Sequence, residues 1–283
     1  MTQEEEKKLK LFAANVRRWV IEAVYRAKSG HPGGSLSCTD ILTYLYNNAL
    51  EVSPENIDDP KRNRFVLSKG HCAPALYSVL GLKGFFDINE MTTLRALGSK
   101  LQGHPCMNEL KGVEMSTGSL GQGIAAAVGM AINGKHLDKT DYKVYTVLGD
   151  GEMQEGEVWE ALMAGAHYKL DNFCAILDKN GLQIDGKVAE VMDIGDIEAK
   201  AKAFGYETRV IDGHDFQQID AAVNDFKANA GSGKPFFIVA KTHKGMGVSF
   251  MQDNPGWHGK NPNDEEYAKA VTELDAAIKA LEV

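Results

Sequence analysis

The sequence predicts an α/β fold of three layers, in which a mainly parallel, doubly wound sheet lies between two layers of helices. Apolar, β-branched runs typical of buried strands alternate along the chain with amphipathic helical runs. The clearest unit is an apolar run over residues 144–148, a Gly-Asp-Gly turn, a helical run over 157–168 and a second apolar run over 173–177. Strands joined by such a helix are parallel neighbours, and both faces of their sheet are covered.

The other elements follow the same alternation. Apolar residues spaced by three and four predict a helix over residues 4–28, and a second helix over 37–46 has Ser37 or Thr39 as its expected N-cap. Asn263 to Glu266 predicts the cap of a last helix. Further strands are expected over 63–68, 206–211 and 235–240, further helices over 75–82, 124–133, 196–204 and 216–230, and a loop or short hairpin over 183–189. No linker or repeat interrupts the chain, so we expect one domain over residues 1–283.

Composition excludes several classes of protein. The chain of 283 residues has a formal net charge of −8 with interspersed charges, and it lacks the basic face that nucleic acid requires. The cysteines are far apart and form no C-x-x-C pair, so neither a zinc site nor a disulfide framework is expected. The N-terminus has no signal-peptide pattern and no apolar run has the length of a membrane span, which predicts a cytoplasmic protein without a membrane partner.

Polar residues follow two of the predicted strands where each strand ends. Asp150 comes directly after the run 144–148, and Asn180 follows the run 173–177 closely. Because parallel strands bring their carboxyl ends to one edge of the sheet, these two side chains are expected side by side. A carboxylate and an amide oxygen suit Mg²⁺, whose coordination phosphates and water complete. The pair therefore predicts a diphosphate site bridged by magnesium, although a Gly-Asp-Gly turn alone also occurs in ordinary α/β proteins.

Histidines in glycine-containing loops form a second group of candidates. His31, His71 and His104 each follow a glycine, and His258 lies in a long irregular stretch over residues 241–262. Each histidine taken alone also fits a loop residue without a task. The glycines of residues 116–123 allow the backbone to approach a flat ligand or merely to pack, and the small residues after them, Gly129 included, predict tight helix packing.

The order of these motifs along the chain resembles the N-terminal half of transketolase, from about residue 10 to 262. Residues 149–180 resemble the thiamine diphosphate motif that begins with Gly-Asp-Gly and ends with an Asn pair, with Lys179 in place of the first Asn. The matching motifs are Gly30-His31-Pro32-Gly33, Ser68-Lys69-Gly70-His71, Gly103-His104-Pro105, Thr117 to Gly123, Gly149-Asp150-Gly151 to Gly156, Asp178 to Asn180, and His258-Gly259.

The resemblance implies a thiamine diphosphate-binding fold that holds thiamine diphosphate and Mg²⁺, with Ca²⁺ or Mn²⁺ as substitutes for the metal. By the family pattern Asp150, Asn180 and the Leu182 carbonyl hold the metal. The remaining assignments are His71, Gly151 and Asn180 at the diphosphate, Gly118, Ser119 and Leu120 at the aminopyrimidine and thiazolium side, His31, His104 and His258 at donor-sugar hydroxyls, with His258 also at the diphosphate, Glu152 among the cofactor-binding residues, and Glu155 as an interface glutamate. Ser119 stands where Pro is usual, and Glu152 and Trp159 also differ from the common pattern, which bears on substrate contacts.

The implied activity is transfer of a two-carbon ketol unit from a ketose phosphate to an aldose phosphate. In the family, a following pyrimidine-binding domain supplies the glutamate that activates the cofactor and the arginines that hold sugar phosphate. We therefore expect a partner in the form of a separate C-terminal subunit, within an α2β2 assembly. The alternatives are a related ketol transferase with another acceptor or an unusual ketose phosphate, a non-catalytic cofactor-binding subunit, and a plain α/β domain.

Overall fold

A sheet of five parallel strands forms the middle layer of the computed structural model, which describes residues 1–282. The strand order is β1-β2-β3-β7-β6, and a separate two-stranded antiparallel hairpin, β4-β5, occupies the predicted loop or hairpin. The strands are β1 (Arg64–Leu67), β2 (Val144–Gly149), β3 (Phe173–Lys179), β4 (Leu182–Gln183), β5 (Gly186–Lys187), β6 (Glu207–Asp212) and β7 (Phe236–Lys241). Val283, the last residue of the expected domain, lies outside the described residues.

Helices cover both faces of this sheet, as the sequence predicted. Alternate strand residues point to two separate apolar cores: Tyr145 and Val147 of β2 pack in one, and Val144 and Leu148 in the other. No helix within residues 1–282 is long and apolar enough to cross a membrane. The α-helices of the described chain are α1 (Gln3–Ala27), α2 (Pro32–Ser37), α3 (Thr39–Tyr44), α4 (Ala73–Leu82), α5 (Gln122–Ile132), α6 (Gly156–His167), α7 (Val188–Val191), α8 (Ile197–Phe204), α9 (Phe216–Ala228) and α10 (Asp264–Glu282).

The start of the second predicted helix was wrong. Helical structure begins at Pro32 rather than near Ser37, since a proline suits the first turn of a helix, where its missing N–H costs no hydrogen bond. His31 therefore stands immediately before a helix. Neither Ser37 nor Thr39 acts as an N-cap, because the Thr39 hydroxyl donates to the Ser35 carbonyl (2.8 Å) and the Ser37 hydroxyl donates to Asp178 (2.5 Å).

The expected register of the central unit is confirmed. Strands β2 and β3 pair in parallel, with Gly149 opposite Asp178. The chain leaves both strands at the same edge of the sheet, so that Asp150 and Asn180 emerge as neighbours.

Tight packing along α5 is limited to its start, which corrects the prediction for Gly129. A Cβ built at Gly123 would lie 2.5 Å from the Ser68 Cα, whereas a Cβ at the exposed Gly129 meets no atom within 4 Å. We expect Gly123→Ala to lower the free energy of unfolding by about 1–3 kcal/mol through overpacking. The matched control Gly129→Ala should raise it by about 0.5–1 kcal/mol, because alanine favours the helix. Denaturant unfolding of both variants measures the difference, and equal effects would contradict this packing.

Candidate functional site

A cavity of about 320 Å³ opens at the carboxyl edge of β1, β2 and β3. His104 and Ser119 are the predicted site residues that do not line it. His104 nevertheless borders it, because its Cδ2 would lie 2.9 Å from a Cβ at Gly118. Ser119 is exposed. The predicted residues that line the cavity are His31, His71, Gly118, Leu120, Asp150, Gly151, Glu152, Glu155, Asn180, Leu182 and His258.

Asp150 and Asn180 lie together at the floor of this cavity. Asp150 is 2% exposed, and its carboxylate accepts hydrogen bonds from the N–H groups of Gly151 (2.9 Å) and Gly181, the residue after Asn180. Burial, followed by the nearby charge of Asp178, raises the pKa of Asp150 to about 6. The Asn180 side chain accepts from the Leu182 N–H (3.1 Å) and donates to the Ser37 hydroxyl (3.3 Å). One carboxylate, one amide oxygen and the Leu182 carbonyl thus form a set of oxygen donors.

A buried carboxylate, Asp178, joins the strand ends beneath these donors. It accepts from the Lys69 ammonium after β1, the Ser37 hydroxyl at the end of α2 (2.5 Å) and the Thr242 hydroxyl after β7. Asp178 and Lys69 are both almost completely buried, and in such surroundings a charge persists only when it is paired and hydrogen-bonded. The floor of the cavity is therefore held by bonds within the chain itself.

Glu152 holds three loops around the cavity by means of a buried carboxylate. It accepts from the Ser68 hydroxyl (2.5 Å) and from the backbone N–H groups of Gly121 (2.9 Å) and Gly149 (3.0 Å). Burial raises its pKa, although these bonds oppose the shift. The Ser68 hydroxyl in turn accepts from the Ile124 N–H (2.9 Å) in the first turn of α5. The carboxylate is thus used by the protein to shape the Gly-rich loop, although the residue also lines the cavity.

Four histidines from separate loops converge at the mouth of the cavity. The ring of His31 is 5.4 Å from those of His71 and His258 and 6.1 Å from that of His104, measured between centroids. His71 and His258 are 5.2 Å apart. The Tyr77 hydroxyl lies 3.1 Å from both the Gln102 and His104 carbonyl oxygens and fixes the loop that carries His104. The prediction of a common histidine site therefore has a geometric basis.

Three of these imidazoles are held in the neutral form at neutral pH. Burial, followed by the charge of His71, lowers the pKa of His31 to about 4, and burial followed by Lys244 lowers the pKa of His258 to about 3. Burial, then the charge of Arg95, lowers the pKa of His104. The buried Nδ1 of His31 has no hydrogen-bond partner within residues 1–282. A neutral imidazole with a free nitrogen is able to accept a proton or a hydroxyl hydrogen.

Lys244 belongs to the site but was missed in the sequence. It is 2% exposed, and its ammonium lies 2.8 Å from His258 Nδ1 and 3.4 Å from the Leu182 carbonyl oxygen. Because the ammonium donates to Nδ1, the proton of His258 is on Nε2. Burial, followed by the charge of Lys69, lowers the pKa of Lys244 to about 8. The long irregular stretch over residues 241–262 was the only sequence signal, and it did not single out this lysine.

Within the described residues, no group of three or more His, Cys, Asp or Glu side chains could hold a metal ion. The acid-rich clusters that bind metals without further help are thus excluded for this part of the chain. Asp150, Asn180 and the Leu182 carbonyl instead offer mixed oxygen ligands, which suit a hard cation that completes its coordination with phosphates and water. The buried lysine beside them adds positive charge where an anion would bind.

Comparison with protein families matches residues 9–279 to the model of the transketolase, thiamine diphosphate binding domain. One of the two subunits of an apulose-4-phosphate transketolase, from Phocaeicola vulgatus, is 43% identical over 275 residues, covering 97% of this chain and 96% of that protein. The 6-deoxy-6-sulfo-D-fructose transketolase subunit SqwG from a Clostridium species is 41% identical and covers 92% and 94%, respectively. Both relatives match along almost their full length.

Solved structures have the same architecture. Transketolase from Campylobacter jejuni superposes with a TM-score of 0.88 at 34% identity, over 99% of this chain and 46% of that one. Human transketolase is 41% identical, over 98% of this chain and 44% of its own length. The chain therefore spans a little under half the length of these single-chain transketolases.

Proposed function

The chain belongs to the transketolase family as its thiamine diphosphate binding domain, and we propose that it is the cofactor-binding subunit of a split transketolase. It works with a second polypeptide to move a two-carbon ketol unit from a ketose phosphate to an aldose phosphate. The observation that carries this proposal is the single cavity in which Asp150 and Asn180 lie beneath converging histidines. Residues 1–283 form one domain in this proposal, and the protein is cytoplasmic.

The cavity fits thiamine diphosphate with Mg²⁺. Asp150, Asn180 and the Leu182 carbonyl would hold the metal, and His71, Gly151, Asn180 and His258 would meet the diphosphate, with Gly118, Ser119 and Leu120 beside the rings. Lys244 joins the diphosphate side, because its buried ammonium faces the same space. Bound thiamine diphosphate supplies the chemistry that the side chains lack, because its ring accepts the electrons released when the carbon–carbon bond of the ketose breaks.

The histidines of this chain bind and move protons at the sugar. His31, His104 and His258 are neutral near pH 7, so they accept hydrogen bonds from donor hydroxyls and take up protons from them. His258 keeps its proton on Nε2, because Lys244 donates to Nδ1. These histidines orient the donor and assist proton transfer, each contributing about a hundred- to ten-thousandfold in rate.

A second polypeptide completes the site in this proposal. The two relatives that match over almost their whole length are both named as subunits, which supports a partner that supplies the pyrimidine-binding domain in an α2β2 assembly. Glu155 is exposed at the mouth of the cavity. Its position is consistent with the proposed role of an interface glutamate.

A ketol transferase with a less common sugar is the second candidate. The names of the same two relatives specify apulose 4-phosphate and 6-deoxy-6-sulfo-D-fructose, both of which end in an anionic group. We therefore include both sugars, beside common ketose phosphates, among the donors to be tested. The donor with the highest kcat/KM identifies the substrate.

The test compares the purified chain alone with the chain and its co-purified partner. We expect no ketol transfer by the chain alone and full transfer by the pair in the presence of thiamine diphosphate and Mg²⁺. Mass analysis of the companion polypeptide identifies the partner. Full turnover without any partner would refute the split enzyme, and consumption of pyruvate alone by the pair would refute ketol transfer.

A further inference from the structure

A buried ion-pair network lies behind the cavity and has no part in the function described so far. Arg17 of α1 donates two hydrogen bonds to the carboxylate of Asp40 in α3, at 3.0 and 2.5 Å. His214, after β6, lies 2.7 Å from the same carboxylate through Nδ1. Arg17 is 8% and Asp40 is 4% exposed. The three side chains thus connect three separate elements out of contact with bulk water.

The network holds the backbone of the segment that follows β7 at two points. His214 Nε2 accepts the N–H of His243 (2.9 Å), and Arg17 Nε donates to the carbonyl oxygen of Met246 (3.1 Å). These two points stand on either side of Lys244 along the chain. A third bond, from the Gly245 N–H to the Gly33 carbonyl (2.9 Å), ties the segment to the helix that follows His31.

The direction of these bonds defines the state of His214. A backbone N–H is only a donor, so Nε2 of His214 carries a lone pair and its proton is on Nδ1, from which it is donated to Asp40. The imidazole therefore links a fixed carboxylate to a fixed backbone amide. A side chain that lacks an acceptor at the Nε2 position would leave the His243 N–H without its partner.

The far end of the segment lies in the site. Lys244 extends from this backbone into the cavity, where its ammonium contacts His258 and the Leu182 carbonyl. We propose that Arg17, Asp40 and His214 are positioning residues, which fix the backbone of residues 243–246 and thereby place the Lys244 ammonium beside His258. Their effect on cofactor binding rests on the proposed function, whereas their effect on the position of Lys244 does not.

Two replacements of His214 separate its acceptor role from its contact with Asp40. In His214→Gln the side-chain carbonyl reaches the position of Nε2 and accepts the His243 N–H, whereas His214→Asn is shorter and reaches only Asp40. In the full chain, alone and with its partner, we expect about tenfold faster hydrogen exchange of the His243 amide and about tenfold faster labelling of Lys244 by an amine-reactive acetylating reagent in His214→Asn. His214→Gln should remain close to wild type in both measurements.

Two further variants protect this test against a simple loss of folding. Arg17→Lys keeps a cation for Asp40 but loses the bond to Met246, and it should also accelerate the labelling of Lys244. His136→Asn is the control, because His136 bonds only to the Tyr168 carbonyl on another surface, and it should change nothing at Lys244. Unchanged labelling and exchange in both His214→Asn and Arg17→Lys would overturn the inference.

A double-mutant cycle tests the link to the cofactor. Thiamine diphosphate affinity of the complete enzyme should fall about tenfold in His214→Asn but should show no further fall when Lys244→Met is already present, because both changes act through one ammonium. Additive losses would overturn the positioning role. Absence of any magnesium-dependent binding to wild type would instead overturn the proposed function, while the labelling and exchange results still decide the role of His214.

Discussion

Replacing Asp150 with Asn abolishes magnesium-dependent binding of thiamine diphosphate in the complete enzyme. The variant keeps one oxygen at the site but loses the negative charge that attracts a hard cation. Even changes to residues behind metal ligands typically weaken metal binding by 10- to 100-fold, so we expect a loss of at least about a hundredfold. Calorimetry with and without Mg²⁺ measures it. Asp185→Asn, at an exposed carboxylate on the rim of the same cavity, is the matched control and should bind normally.

The same variant should change how the stability of the metal-free chain depends on pH. Because burial, and then Asp178, raises the pKa of Asp150 to about 6, the folded chain binds this proton more tightly than the unfolded chain does. The contribution of Asp150 is therefore present in full below about pH 4 and is lost as the pH rises to about 6, with an upper size of about 3 kcal/mol. Unfolding at pH 4.5 and pH 7 should show this decline in wild type and Asp185→Asn but not in Asp150→Asn. An identical decline in all three would contradict it.

His104→Ala should lower turnover of the complete enzyme by about a hundred- to ten-thousandfold while leaving thiamine diphosphate affinity nearly unchanged. The imidazole borders the cavity over Gly118, within 6.1 Å of His31 between ring centroids, rather than at the metal ligands. Its loss therefore removes a proton-transfer group and leaves the diphosphate site in place. Steady-state kinetics and cofactor titration on the same preparation separate the two effects.

His167→Ala is the control for that experiment, because His167 is exposed on α6 away from the cavity lining. It should leave turnover unchanged. If His104→Ala also left turnover unchanged, the chain would hold cofactor without taking part in the reaction, which is the non-catalytic alternative.

The sequence predicted those features that follow from periodicity and from the geometry of parallel strands. Asp150 and Asn180 could be placed together because strand, helix and strand follow one another within a short segment, and the register with Gly149 opposite Asp178 confirms it. The convergence of His31, His71, His104 and His258 could not be worked out in this way. Their loops are far apart in sequence, and only the resemblance to transketolase brought them into one site.

Other features depend on contacts that no local pattern records. His214 meets Asp40 across 174 residues of sequence. Lys244 lies in an irregular segment without periodicity, so neither its burial nor its contact with His258 was foreseeable. The start of α2 was wrong because the glycines around Pro32 were interpreted as a loop, although a proline in the first turn is equally typical of a helix.

The buried Asp178 and its three donors divide the cavity into two regions that are able to diverge at different rates. Exchange of any one partner strands a charge inside the protein, so neutral drift at the floor is suppressed. Ile184 and Asp185 on the rim are exposed and take no part in these bonds. A lineage is therefore free to acquire a new sugar by altering the rim while it inherits the same cation site, and the different sugars in the names of the two subunit relatives are the outcome that such inheritance allows.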